Sequence, residues 1–142
     1  VAADAVLAGG GKVYGVIPHA LVNLEVAHSG ATELFTVETM HERKAKMTEL
    51  ADAFLALPGG IGTLDELFEA WSWNALGYHC KPFCLLNVDG FWDGMIAFID
   101  HATASGFLSP QRRAQLLVAE TPEQALEQLD EAAAAATQGM VW

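Results

Sequence analysis

Ala53-Phe54-Leu55-Ala56-Leu57 runs directly into Pro58-Gly59-Gly60-Ile61-Gly62-Thr63-Leu64-Asp65-Glu66, and this passage decides the fold. Five apolar residues in succession are the composition of a strand buried on both faces. Beyond the glycines, Leu64, Leu67, Phe68, Trp71 and Ala75 recur at the spacing of one helix face, which predicts a helix over 62–77 closed by Gly77. A strand, a glycine turn and a helix in direct succession are the repeating unit of an α/β sheet.

The same alternation extends outward in both directions. Towards the N-terminus the sequence predicts a helix over 2–8 stopped by Gly9-Gly10-Gly11 and a strand over 12–17 ended by Pro18. A short helix over 19–28, a strand over 33–37 and a helix over 38–51 follow. Towards the C-terminus come a strand over 82–88, a helix over 91–105 closed by Gly106, and a strand over 115–119. Thr121-Pro122-Glu123 then supplies an N-cap, a proline at the first helical position and an acidic first turn for the last helix. The alanine run 132–136 reads as that helix's frayed end. Strands separated by helical segments indicate βαβ units, hence a mostly parallel sheet flanked by helices. No linker rich in proline, glycine or serine divides the chain, so one domain over 1–142 is expected. The first helix has no preceding strand, whereas a doubly wound fold places its first strand and a ligand-binding turn there. An N-terminal segment is therefore expected to be missing.

Composition narrows the partners. Seven Lys+Arg against 18 Asp+Glu leave a formal net charge of −11. A nucleic-acid or anionic-membrane surface needs a basic face, so neither partner is expected. A small anionic ligand stays open, because a few local cations and backbone N–H groups outweigh a distant field. Hydrophobic residues make up 52% of the chain, enough for a real core. Cys80 and Cys84, with three residues between them, fit neither a redox C-x-x-C nor a zinc pair and read as reduced thiols. With no signal peptide and no apolar run of membrane-spanning length, a soluble cytoplasmic protein is expected.

The chemistry concentrates in two stretches. Gly59, Gly60 and Gly62 remove side chains that would keep an anion from the backbone, and the first N–H groups of the helix point at such an anion. Thr63 adds a hydroxyl. A tight structural turn accounts for the glycines equally well, and both readings stand at this point. The Gly-Lys-Ser/Thr ending of a P-loop is absent. Glu66, read as lying in the helix's first turn, is either the far member of a capping box Thr63-x-x-Glu66 or a carboxylate beside a bound phosphate ester. Asp65 and Glu69 read as solvated.

The second stretch is Met40-His41-Glu42-Arg43-Lys44-Ala45-Lys46-Met47. Met40, Arg43, Lys44 and Met47 fall at i, i+3, i+4 and i+7, one helix face. A cationic pair between flexible apolar groups suits a phosphorylated ligand with a flat base. The competing reading is a solvated basic turn with two core methionines. His41-Glu42-x-x-Ala45 lacks the second histidine of a zinc-hydrolase helix, so no metal is expected. His79 reads as a C-terminal cap of the preceding helix ahead of a place lining a cleft, and Trp71 and Trp73 as core or subunit-contact residues ahead of base stacking. His19, His28 and His101 are given no role.

Taken together, Met40-x-x-Arg43-Lys44 and Pro58-Gly59-Gly60-x-Gly62-Thr63-x-x-Glu66 resemble the Lonely Guy family of cytokinin-activating phosphoribohydrolases. Many members of that family carry the older label "possible lysine decarboxylase". Supporting stretches are Gly15-Val16-Ile17-Pro18, Leu76-Gly77-x-His79-x-Lys81-Pro82 and Leu86-Asn87-x-Asp89-Gly90. The resemblance implies a Rossmann-like three-layer α/β fold, here lacking its expected first strand and that strand's glycine-rich turn. It implies hydrolysis of the N-glycosidic bond of a purine nucleoside 5′-monophosphate to free base and ribose 5-phosphate, with no cofactor. By position, Arg43 and Glu66 match the family's catalytic pair. Pro58, Gly59, Gly60, Gly62 and Thr63 match its phosphate loop, and Met40 and Lys44 its nucleotide-binding motif. A homodimer or an assembly of dimers is implied as well. The alternative is a non-catalytic nucleotide-binding module of the same fold. Whether the substrate is a cytokinin nucleotide or AMP is not readable from the motifs.

Overall fold

A computed structural model describes residues 1–21 and 30–138. The chain folds as two compact units, Val1–Ala51 and Asp52–Trp142, each α/β with parallel strands flanked by helices.

The first unit holds α1 (Ala2–Ala8), β1 (Tyr14–Pro18), β2 (Glu33–Val37) and α2 (Met40–Leu50). β1 and β2 pair in parallel, from Tyr14 opposite Glu33 to Pro18 opposite Val37. Pro18 is therefore the last strand residue rather than the stop after it, which its missing N–H permits at a strand end. Of the helix expected over 19–28, residues 19–21 form a single 3-10 turn and the remainder lies outside the described residues. α2 packs on both strands. Its start is fixed by a capping box: the Thr39 hydroxyl accepts from the Glu42 N–H at 3.1 Å, while the Glu42 carboxylate accepts from the Thr39 N–H at 3.3 Å. That box moves the helix start from the expected residue 38 to Met40.

The second unit is built on β3 (Phe54–Ala56), β4 (Phe83–Leu86) and β5 (Leu116–Ala119), parallel and in that spatial order. Alternate residues of β4 face opposite sides. Phe83 and Leu85 pack with Leu67 and Trp71 of α3 (Ile61–Ala75) and with Trp92 and Ile99 at the start and within α4 (Asp93–Ala104). Cys84 and Leu86 pack with Ala119 and with Ala125 and Leu129 of α6 (Pro122–Gln138) on the other side. Each face of this sheet thus carries its own apolar cluster, giving three layers. All four residues of β4 are buried, whereas β3 is half-buried throughout. The fully covered strand is β4. β3, expected in that role, is the end strand of the three-stranded sheet.

Two C-terminal details differ from expectation. Pro110–Ala114 forms a short helix, α5, capped by the Ser109 hydroxyl with proline at its first position. The signal for it was present in Ser109-Pro110. The alanine run 132–136 is not frayed, since α6 continues to Gln138. Alanine loses least on entering a helix, and the run extends it.

Candidate active site

The glycine loop leaves the C-terminal end of β3 and enters α3, as the sequence predicts, with Gly60 as N-cap and no side chain capping it. Leu64 N–H bonds the Gly60 carbonyl at 3.1 Å, so the amides of Ile61, Gly62 and Thr63 precede the first i→i−4 bond. No glycine of this loop has a positive φ; among the described residues the glycines that do are Gly10, Gly77, Gly90 and Gly106. A Cβ on Gly59 would run into the Thr63 hydroxyl, so Gly59 serves the fold of the loop itself. A Cβ on Gly60 or Gly62 would meet no atom within 4 Å among the described residues. Neither backbone conformation nor packing among the described residues demands glycine at these two positions, and the space beside them is open.

Thr63 is the third residue of α3 and Glu66 the sixth, one turn further on. The capping box Thr63-x-x-Glu66 is thereby excluded, since a cap lies outside the helix and Thr63 lies within it. Glu66 belongs to the second turn, not the first, and the residue is half-buried. Asp65 is exposed as expected. Glu69 is not solvated: it is half-buried, with one carboxylate oxygen shielded from solvent.

In the first unit, α2 carries Met40, Arg43 and Lys44 on one face, and none of its residues is fully buried. The two methionines are not core residues: Met40 is exposed and Met47 half-buried. Arg43 Nε donates to the Val16 carbonyl of β1 at 3.1 Å, which fixes the root of the guanidinium against the strand. Lys46 is held elsewhere, 4.9 Å above the Phe35 ring and 2.8 Å from the Glu49 carboxylate. Arg43 and Lys44, the cationic pair of the sequence, are both half-buried. The structure thus groups Met40, Arg43 and Lys44 in one unit, and Pro58, Gly59, Gly60, Gly62, Thr63 and Glu66 in the other.

His79 does not cap α3. The cap is a Schellman motif at Gly77 (φ +81°), with Tyr78 N–H bonding the Trp73 carbonyl and Gly77 N–H the Asn74 carbonyl. The Trp73 and Tyr78 rings meet edge-on across it, while Trp71 is buried in the core. His79 instead turns inward: its ring lies 5.6 Å from that of Phe54, and Nδ1 accepts the Lys81 N–H at 3.2 Å. Burial lowers its pKa below 6.5, the nearby Lys81 charge acts in the same sense, and the Ala70 carbonyl on α3 opposes them.

Asn87, in the stretch Leu86-Asn87-x-Asp89-Gly90, is a buried polar residue at the end of β4. Its Oδ1 accepts the Trp92 N–H at 2.7 Å and its Nδ2 donates to Asp93 at 2.8 Å. These bonds close the turn in which Asp89 (φ +50°) and Gly90 (φ +71°) are left-handed. Asn-x-Asp-Gly was the signal that could have located this turn.

A parallel α/β sheet that leads into a glycine-bounded helix N-terminus defines the general class of this protein. Within that class, the chain belongs to the family described as possible lysine decarboxylase, whose profile matches residues 1–129. It is 46% identical over 125 residues to the cytokinin riboside 5′-monophosphate phosphoribohydrolase of Rhodococcoides fascians, covering 87% of this chain and 63% of that protein. A protein of the same description from Arabidopsis thaliana is 48% identical over 128 residues, covering 90% of this chain and 60% of its own length. One from Oryza sativa subsp. japonica is 46% identical over 134 residues, covering 94% and 55%. The chain thus spans somewhat more than half the length of these relatives.

Proposed function

We propose that this protein hydrolyses the N-glycosidic bond of a purine nucleoside 5′-monophosphate, releasing free base and ribose 5-phosphate. The observation that carries the reading is the pair Gly60 and Gly62, whose missing side chains open space beside the first amides of α3 although no contact among the described residues requires them absent. A phosphate ester is the ligand such a helix start favours, through unpaired N–H groups and the helix dipole. The names of the relatives supply the nucleoside monophosphate and the bond that is cut.

In this reading the phosphate sits on the loop 58–63, with the Thr63 hydroxyl as a further donor. Cleavage of C1′–N9 builds positive charge on the ribose. Glu66 is assigned to that charge, stabilising the oxocarbenium character and either orienting the incoming water or attacking C1′. Water supplies the hydroxyl that ends on C1′ and the proton that ends on the purine. Arg43 is assigned to holding a ribose hydroxyl or the phosphate, because a guanidinium that stays protonated is a poor general acid. Met40 and Lys44 are assigned to the nucleotide beside it. We extend the proposal to a homodimer, which the exposed Phe98 and Phe107 rings support.

Incubation with AMP and with isopentenyladenosine 5′-monophosphate, followed by chromatography of free base, tests the reaction. Release of base with ribose 5-phosphate is expected, and the ratio of rates orders the two substrates. Nucleotide binding without cleavage by the full-length protein would overturn the hydrolase and favour the binding module.

A further inference from the structure

β1 and β2 run in parallel and in register to Pro18 opposite Val37, so His19 and Glu38 leave the carboxyl ends of the two strands side by side. His19 Nε2 lies 3.5 Å from the Glu38 carboxylate, and the two side chains are 61% and 77% exposed. A pair so open to water adds little to stability, so the fold does not call for it. The start of α2 lies at the same end of this unit. The Glu42 carboxylate accepts the Glu38 N–H at 2.8 Å, and the Thr39 carbonyl accepts the Arg43 N–H at 3.0 Å. Arg43 Nε donates to the carbonyl of Val16, three residues before His19. An imidazole backed by a carboxylate therefore shares one end of the first unit with Met40, Arg43 and Lys44. It is the carboxyl end, where open parallel sheets hold their ligands.

We propose that His19, oriented by Glu38, is the catalytic acid that protonates the departing purine. The assignment rests on the hydrolase reading and fills a place in it. Arg43 stays protonated and Glu66 is assigned as an anion, so neither gives a proton to the base, whereas an imidazole does so at neutral pH. With Nε2 turned to Glu38, Nδ1 is the nitrogen assigned to the purine. As C1′–N9 breaks, its electron pair stays on the purine, and N7 takes the proton from Nδ1 of the imidazolium. Water adds its hydroxyl to C1′, and its remaining proton restores the imidazolium.

AMP methylated at N7 separates proton transfer from every other role, because its purine is already cationic and leaves without a further proton. In the full-length protein, His19→Gln is expected to lose about 10²–10³-fold in kcat on AMP and nothing on 7-methyl-AMP. Glu38→Gln is expected to lose about tenfold, again on AMP alone. The urea midpoints of both variants are expected to match wild type, since both side chains are exposed. Imidazole, but not the similarly shaped and far less basic pyrazole, is expected to restore AMP cleavage by His19→Gly. Equal losses on the two nucleotides, or none on AMP, would overturn the acid and leave the hydrolase standing. A wild-type protein that releases base from neither nucleotide would sink the hydrolase reading and this assignment with it.

Discussion

Side chains as small as one hydrogen separate structure from function in the loop 58–63. Gly62→Ala adds a methyl group inside a helix where nothing obstructs it, so stability is expected to be unchanged or to rise by up to about 1 kcal/mol. The same methyl intrudes where an anion would approach, and AMP affinity is expected to fall at least about tenfold by calorimetry. Gly59→Ala must push the Thr63 side chain aside and is expected to lower both the denaturation midpoint and the affinity. Affinity unaffected by Gly62→Ala would return the glycines to a purely structural role. Glu66→Gln keeps the shape of the carboxylate and removes its charge. Loss of base release by about 10²–10⁴-fold is expected, with AMP binding largely retained. The residue type of every candidate was legible in the sequence. The helical position of Glu66 was not, because the capping pattern Thr63-x-x-Glu66 competed with the true start at Ile61.

At the level of elements, helix boundaries follow local bonds more closely than apolar periodicity. Thr39→Ala removes one half of the box that starts α2 and is expected to cost about 1 kcal/mol in urea unfolding. A larger effect is expected at the β4 turn. Asn87→Ala leaves the Trp92 N–H without its acceptor in a buried place and is expected to cost about 1–3 kcal/mol. A loss no greater than that of Thr39→Ala would mean water replaces the amide. Strands and long helices were readable to within two or three residues. The brief α5 was missed because five residues cannot display a helical period.

For the whole molecule, the half-buried His79 and the buried Cys84 act on stability at opposite ends of the pH range. The His79 imidazole is held below its ordinary 6.5, so the unfolded chain takes up the proton first and stability is lost as pH falls from 6.5 through the lowered value. Burial pushes the Cys84 thiol from 9.0 up to about 11, so the unfolded chain ionises first and stability is lost as pH rises from 9 towards 11. Chemical-denaturation midpoints, as far as these two groups set them, are expected to be level between those limits. Cys84→Ala is expected to flatten the alkaline side. Both thiols are free, but only Cys80 is exposed, so a thiol reagent at pH 8 is expected to label Cys80 and spare Cys84 until unfolding.

The order of the strands and long helices, their parallel arrangement and the two stretches that hold the candidate residues were legible in the sequence alone. These follow from short-range facts: side-chain period, glycine and proline punctuation, and caps that act within one turn. Burial belonged to the tertiary structure, which assigned the fully covered position to β4 and not to β3. It also turned His79 from a presumed cap into a ring against Phe54, and joined Arg43 to the Val16 carbonyl 27 residues earlier. Such contacts depend on which distant residues share a space, and no local pattern records that.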